Sequence, residues 1–187
     1  MAFKKEIEVK FRLNDKREMQ KKLMGLGGTI VSLRFQRDIR AKQPPDSTSL
    51  QNVFPRVRES NGKSIMTVKV KNAPAQGFFE RDEYEFGVDD SQTALRALAA
   101  MGFTDQRALE KYRQTWRIGE SDLEVVIDSL PFGDYMEIEG GIEAIEALAR
   151  DLGLDNADRV TDAYLVEYAK RCKIEGVDER QHVCFMA

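Results

Sequence analysis

Residues 5–13 read KEIEVKFRL, and their strict alternation decides how the chain begins to fold. Glu6, Glu8, Lys10 and Arg12 fall on one face; Ile7, Val9, Phe11 and Leu13 fall on the other. A period of two belongs to a β-strand, whose successive side chains point to opposite sides. The apolar face asks for a core to cover it. The other face carries nothing but charge.

Working outward, Asn14 or Asp15 is suited to cap a helix over 15–26, where Met19, Leu23, Met24 and Leu26 recur at helical spacing before Gly25, Gly27 and Gly28 stop it. The Gly27-Gly28 pair reads as that stop and not as a phosphate cradle. A second extended stretch covers 29–42, with weak alternation around Arg37–Arg40, and 43–52 is a loop by composition. Residues 53–60 and 63–71 flank Asn61-Gly62, a hairpin signal because both central residues of such a turn need positive φ. After a turn region at 72–77, residues 78–88 alternate again. Asp89 or Asp90 opens an amphipathic helix that runs to Met101 and ends at Gly102. Residues 107–118 fit a strand, with a helix as competitor. Strands follow at 122–129 and 134–140, then helices at about 142–152 and 158–171. Eight strands, four helices, hairpin connections and no splitting linker predict an antiparallel α+β domain whose sheet can close into a barrel.

The chain has 187 residues, 29 basic and 32 acidic, for a net charge of −3. That balance gives no ground for general nucleic-acid binding, although it leaves room for a local basic cavity. There is no apolar leader and no apolar run long enough for a transmembrane helix, so no membrane partner is expected. Cys172 and Cys184 form no paired framework or CxxC spacing, and a cytoplasmic location is the expectation. His182 is the one histidine, which argues against histidine metal sites and Ser-His-Asp chemistry. It reads as a bystander, as do the two thiols. Trp116 is expected outside the sheet, packed under a helix.

The polar faces of the strands are dense in charge and segregated by sign. Glu6 and Glu8 lie on the first strand, Glu137 and Glu139 near the last. Arg56 and Arg58 share a face, as do Lys69 and Lys71, and Lys111 and Arg113; Arg81, Glu83 and Glu85 form a mixed row. On one strand this is the wet side of a sheet. Repeated on strand after strand, same-sign neighbours repel and call for a ligand of opposite sign. Carboxylate pairs suit hard divalent cations, and rows of Arg and Lys suit phosphate oxygens.

Glu6-Ile7-Glu8-Val9-Lys10 resembles the ExExK signature of the CYTH, or triphosphate tunnel metalloenzyme, superfamily, which includes class IV adenylyl cyclases, thiamine triphosphatases and inorganic triphosphatases. Further pieces follow in family order: PRVRE (55–59), TVKVK (67–71), ERDEYEF (80–86), EKYRQTW (110–116), VVID (125–128) and GDYMEIEG (133–140). The resemblance spans roughly residues 4–170 and leans toward the cyclase-type branch. It implies an eight-stranded antiparallel β-barrel, a tunnel with peripheral helices, over residues 1–171; residues 172–187, beyond the last helix, read as a poorly ordered tail. It also implies that Glu6, Glu8, Glu137 and Glu139 hold Mg²⁺ or Mn²⁺. Lys10, Arg56, Arg58, Lys69, Arg81, Lys111 and Arg113 would hold phosphates, with Lys10, Lys69 and Arg58 acting on the transferring group. Asp128 and Glu85 would be second metal ligands or charge partners. The implied partner is a small triphosphate, ATP or polyphosphate; a homodimer is compatible with a compact enzyme.

The implied activity is conversion of ATP to cyclic AMP and pyrophosphate. Hydrolysis of tripolyphosphate, thiamine triphosphate or a nucleotide, and binding without turnover, are the alternatives. Asp38 is followed by Ile39 and Arg40 where the family often has an aromatic, and Ala2-Phe3-Lys4 stands where bacterial class IV cyclases often carry His-Phe. Both departures bear on adenine recognition and cyclisation more than on triphosphate binding.

Overall fold

The computed structural model describes residues 2–44, 50–72 and 78–185. Its strands are β1 (Ala2–Leu13), β2 (Gly28–Lys42), β3 (Val53–Ser60), β4 (Lys63–Lys71), β5 (Phe79–Val88), β6 (Asp105–Ile118), β7 (Glu124–Leu130) and β8 (Gly133–Glu139). The helices are α1 (Lys16–Gly25), α2 (Ser91–Ala100), α3 (Ile142–Asp151) and α4 (Tyr164–Glu175). The eight strands close in the order β1-β5-β4-β3-β2-β6-β7-β8, with β8 returning to β1 and every pairing antiparallel. The stretch over 107–118, open between strand and helix in the sequence, is strand β6. Residues 45–49 of the 43–52 loop and 73–77 of the 72–77 turn lie outside the described residues.

Local chemistry sets the boundaries. Asp15 Oδ1 accepts from the backbone N–H groups of Arg17 and Glu18, and Asp90 accepts from those of Gln92 and Thr93, so each satisfies donors that a helix start leaves orphaned. Asn61 and Gly62 both have positive φ, 51° and 70°, as the hairpin between β3 and β4 requires.

The apolar core lies outside the barrel. Val9 and Phe11 of β1, Trp116 of β6, Val125 and Ile127 of β7, and Met136 and Ile138 of β8 pack against Met19 and Leu23 of α1 and Ile145, Leu148 and Ala149 of α3. Trp116 is therefore buried under helices, as expected. Leu95 and Leu98 of α2 cover Ile39, Val57 and Ala108. A third cluster joins Leu109, Leu130 and Tyr135 to Tyr164 of α4 and Val183.

Two expectations for the C-terminal part are corrected. The last helix begins at Tyr164, not 158. Residues ahead of it are drawn into tertiary hydrogen bonding, with Arg159 bridging Phe11 and the Val160 N–H donating to the Lys10 carbonyl at 2.8 Å. The segment 172–187 was expected to be a poorly ordered tail. Residues 172–175 instead finish α4, Gly176 closes it in the left-handed conformation, and Val183 exchanges backbone hydrogen bonds with Ala108 and Glu110 at 2.9 Å each. His182 Nδ1 accepts from the Ala108 N–H at 3.1 Å, a structural role in keeping with a chemical bystander.

Because Leu23 is fully buried between α1 and the barrel wall, Leu23→Ala should cost about 2–5 kcal/mol of unfolding free energy. Asp15→Ala, which removes only a cap, should cost about 0.5–2 kcal/mol. Urea unfolding of the two variants checks the order.

Candidate active site

With the core outside, the strands send their charged faces inward, and the register shows how they meet. Residues directly opposite across an antiparallel pair share a face. Glu6 stands opposite Arg81, Lys10 opposite Glu137, Lys69 opposite Glu83, Asp38 opposite Arg58, and Arg113 opposite Asp128. Opposite charges are thus matched at five cross-strand positions around the lumen. Like charges also face one another, among them Glu8 opposite Glu139 and Arg40 opposite both Arg56 and Arg107.

Side-chain contacts follow the register. Lys69 Nζ donates to both oxygens of Glu6 at 2.7 Å and lies 3.2 Å from Glu83. Arg81 lies 3.3 Å from Glu8 and 3.6 Å from Glu6. Lys10 lies 3.5 Å from Glu137 and donates to the Asp162 carbonyl at 3.3 Å. Two aspartates act as fixed nodes. Asp38 accepts a two-pronged contact from Arg58 at 2.7 and 2.9 Å and a longer one from Arg56 at 3.4 Å. Asp128 accepts from Lys111 at 2.8 Å, Arg113 at 2.7 Å and the Tyr164 hydroxyl at 3.0 Å, while Arg113 also reaches Glu137 at 2.7 Å. Both aspartates are fully buried.

The structure therefore brings ten of the eleven expected residues, Glu6, Glu8, Lys10, Arg56, Arg58, Lys69, Arg81, Lys111, Arg113 and Glu137, into one buried or part-buried charged interior. The remaining one, Glu139, shares their inward face but pairs with the exposed Lys4 toward one end. Of the weaker candidates, Asp128 has the geometry of a charge partner, and Glu85 accepts from Thr67 Oγ1 at 2.9 Å. Arg40, Glu83 and Tyr164 were missed by the sequence reading. The parity of Asp38 and Arg40 on β2 was available as a signal, and the row Arg81-Glu83-Glu85 was noted without assigning Glu83 a role. Nothing in sequence points a helical tyrosine into a barrel.

Electrostatics separates the carboxylates. Burial opposes ionisation at Asp38, yet Arg58 and Arg56 hold its carboxyl well below the usual range. Glu137 is likewise held well below it, against burial, by Arg113, Lys10 and Lys111. Glu8 goes the other way: burial, then the charges of Glu137 and Glu6, push it up to about 7. Lys111 is pushed down to about 7 by burial and by Arg113, against the pull of Asp128.

Among the described residues no three Asp, Glu, His or Cys side chains already converge as a metal cage. The donor chemistry nevertheless fits a hard divalent cation. Glu6, Glu8 and Glu137 offer oxygen donors only, and Glu8, raised by burial and then by the charges of Glu137 and Glu6, has a carboxyl whose ionised form such an ion would favour. For these carboxylates to take up a metal, Lys69, Arg81 and Arg113 must give up their present partners.

A cavity of about 190 Å³ opens beside Arg81, lined also by Lys71, Phe78, Phe79 and Thr161. A larger hollow of about 350 Å³, lined by Leu13, Asp15, Glu18 and Leu154 among others, contains none of these inward-facing pairs.

The CYTH domain profile matches residues 4–164, and the chain belongs to the CYTH domain family. It is 24% identical over 141 residues to a candidate adenylate cyclase of Methanocaldococcus jannaschii, covering 75% of this chain and 79% of that one. The PH1012 protein of Pyrococcus horikoshii superposes with a TM-score of 0.73 at 27% identity, over 85% of this chain and 96% of that one. A candidate adenylyl cyclase of Hippeastrum, described as having a dominant triphosphatase activity, superposes with a TM-score of 0.57 at 15% identity, over 94% of this chain and 98% of that one, a likeness of fold. No helix among the described residues is long and apolar enough to cross a membrane.

The raised Glu8 has a consequence for stability. Its folded pKa of about 7 exceeds the ordinary 4.5, so the stability it contributes is present below 4.5 and is lost as pH rises through 7. In chelator, Glu8→Gln should therefore gain on the parent between pH 4.5 and 8 and be the more stable of the two at pH 8. Denaturant melts across that window test this; a constant gap would mean that Glu8 titrates normally.

Proposed function

We propose that this protein is a divalent-metal-dependent enzyme acting on a triphosphate, and specifically an adenylyl cyclase of the class IV type that converts ATP to cyclic AMP and pyrophosphate. The observation that carries the reading is the pairing of Glu6, Glu8 and Glu137 with Lys69, Arg81, Arg113 and Lys10 inside one lumen. A metal–triphosphate complex can exchange with every one of these pairs. With such a complex bound, the carboxylates would hold the metal and the freed cations the phosphate oxygens, so that no charge would be left uncompensated. Glu6, Glu8 and Glu137 would hold the metal, with Glu139 toward one end of the site.

A divalent cation in that position supplies charge neutralisation along the phosphate chain and Lewis acidity toward an attacking oxygen. The chain's own residues do the rest. Lys69, Lys10 and Arg58 hold the transferring phosphoryl group and stabilise the charge that builds on it and on the leaving pyrophosphate. Asp38 and Asp128 fix the planes of Arg58 and Arg113, which keeps their donor forks aimed without reorganisation. Lys111, held on Asp128 at 2.8 Å, adds a further cation to the phosphate-binding set.

A second reading is hydrolysis of a triphosphate to release orthophosphate. It is favoured by the wall around Asp38, where the next inward side chain is the guanidinium of Arg40, so this wall presents charge and no aromatic face for a base. An assay with Mg²⁺ or Mn²⁺ that scores products from ATP and from tripolyphosphate separates the readings. Cyclic AMP from ATP is expected. Orthophosphate from tripolyphosphate without cyclic AMP would replace the cyclase reading with the second, and tight metal-dependent binding without turnover would reduce the protein to a triphosphate-binding module.

Glu8→Gln should abolish turnover while the protein still folds. Lys69→Ala should lower kcat/KM at least about tenfold, the loss expected when one charge-assisted hydrogen bond to phosphate is removed. Steady-state kinetics of both variants decide whether these strands carry the chemistry, since unchanged rates would exclude them.

A further inference from the structure

The matched pairs leave one lumen cation over. Lys10, Arg56, Arg58, Lys69, Arg81, Lys111 and Arg113 each lie within 4 Å of a carboxylate. Arg40, on the same inward face of β2 as Asp38, makes no ion pair or hydrogen bond among the described residues. Its neighbours across the sheet worsen its position, because it stands opposite Arg56 on β3 and Arg107 on β6. Arg107 is occupied elsewhere, 3.1 Å from Asp105 and 3.5 Å from Glu179. Arg56 is only partly satisfied: its terminal nitrogens reach Asp38 and Thr67, while its Nε–H is buried with no acceptor.

Two guanidiniums thus face each other: Arg56, buried with an unused Nε–H, and Arg40, part-buried and without an ion pair among the described residues. An uncompensated charge even partly withdrawn from water is costly, and like charges directly opposite across a sheet add to the cost. Burial accordingly lowers the affinity of Arg40 for its proton, and Arg81 adds to that effect against the pull of Asp38 and Glu137. A tetrahedral oxyanion between Arg40 and Arg56 would relieve both defects at once, since it offers several acceptors to a forked donor and to the lone Nε–H.

We infer that Arg40 is a further substrate-binding residue, holding one phosphoryl group of the triphosphate together with the Nε–H of Arg56. The inference rests on the triphosphate reading above and deepens it. Lys10, Lys69 and Arg81 must each give up a carboxylate before meeting phosphate; Arg40 has no such pair to break among the described residues. Its interaction with the ligand is therefore not offset by a lost contact. Binding should depend on it more than on cations that exchange one partner for another.

Thermal-shift and calorimetric titrations of the full chain with Mg²⁺-tripolyphosphate, Mg²⁺-pyrophosphate and orthophosphate test this, using Arg40→Gln, Arg40→Lys and, as a control on the same cross-strand row, Arg107→Gln. Without ligand, Arg40→Gln should melt at or above the parent temperature, because it removes an unpaired charge. Its affinity for tripolyphosphate should fall about tenfold to a hundredfold. Arg40→Lys should recover part of the loss, keeping the charge without the fork, and Arg107→Gln should bind as the parent does. Comparing the three phosphates distinguishes a slot for a substrate phosphoryl group, where the deficit is largest with tripolyphosphate, from one for the free ion, where it is largest with orthophosphate and the substrate assignment falls. A parent that binds tripolyphosphate while Arg40→Gln binds it equally well overturns the inference and leaves the proposed function standing. A lower unliganded melting temperature for Arg40→Gln also overturns it, by making Arg40 a structural cation. A parent that binds none of the three overturns both.

Discussion

Charge compensation inside a closed barrel is the constraint on which the rest of this structure depends. Carboxylates and guanidiniums removed from bulk water persist only when each finds a partner, and the register supplies those partners strand by strand. Glu6 meets Arg81, Lys10 meets Glu137 and Arg113 meets Asp128 because their backbones lie directly opposite one another. A slip of one residue in any of these pairings would turn the whole charged row to the outside. Charge matching and the outer apolar face thus enforce the same alignment, since Val9, Phe11, Ile127, Met136 and Ile138 occupy the alternate positions under α1 and α3.

That arrangement inverts the usual small barrel. Its interior is normally filled with apolar side chains, so stability and site compete for the same space. Here the apolar surface has been moved beneath helices, and the lumen is free to be polar. The consequence is an interior held by exchangeable contacts. Ion pairs of Glu6 with Lys69 and Arg81, and of Glu137 with Lys10 and Arg113, compensate charge in the unliganded barrel, and the same groups can be divided between a cation and a polyanion when a ligand enters. Asp38 and Asp128 behave differently. Fully buried and held well below or below the normal carboxylate range by two cations each, they bind their arginines and lysine too firmly to be ligands themselves, and serve as the fixed frame against which the exchangeable pairs move.

Much of this architecture is legible in single stretches of sequence. KEIEVKFRL declares a strand with an apolar and a charged side, Asn61-Gly62 declares a hairpin, and Asp15 and Asp90 declare helix starts, because each of these signals is local and rests on backbone geometry or a neighbouring hydrogen bond. Trp116 was assignable to the outer face by parity alone. The start of α4 was not legible. Residues 159–162 could have continued a helix, but hydrogen bonds to β1, more than 140 positions away, hold them extended. The same holds for the end of the chain, where Val183 and His182 dock on Ala108 through backbone contacts that composition does not report.

By itself, then, the sequence determined the strand and helix inventory, the sign of the charge on each strand face and most of the charged residues on the inward faces, though not Arg40 or Glu83, since alternation and residue type are properties of a few neighbouring residues. Which charge meets which was decided by tertiary structure alone. Strand order and register set the separations between residues far apart in sequence, and electrostatic energy depends on those separations. That is why Asp38 neutralises Arg56 and Arg58, why Glu8 is left beside other acids, and why Arg40, indistinguishable from its neighbours in the sequence, has no carboxylate partner among the described residues.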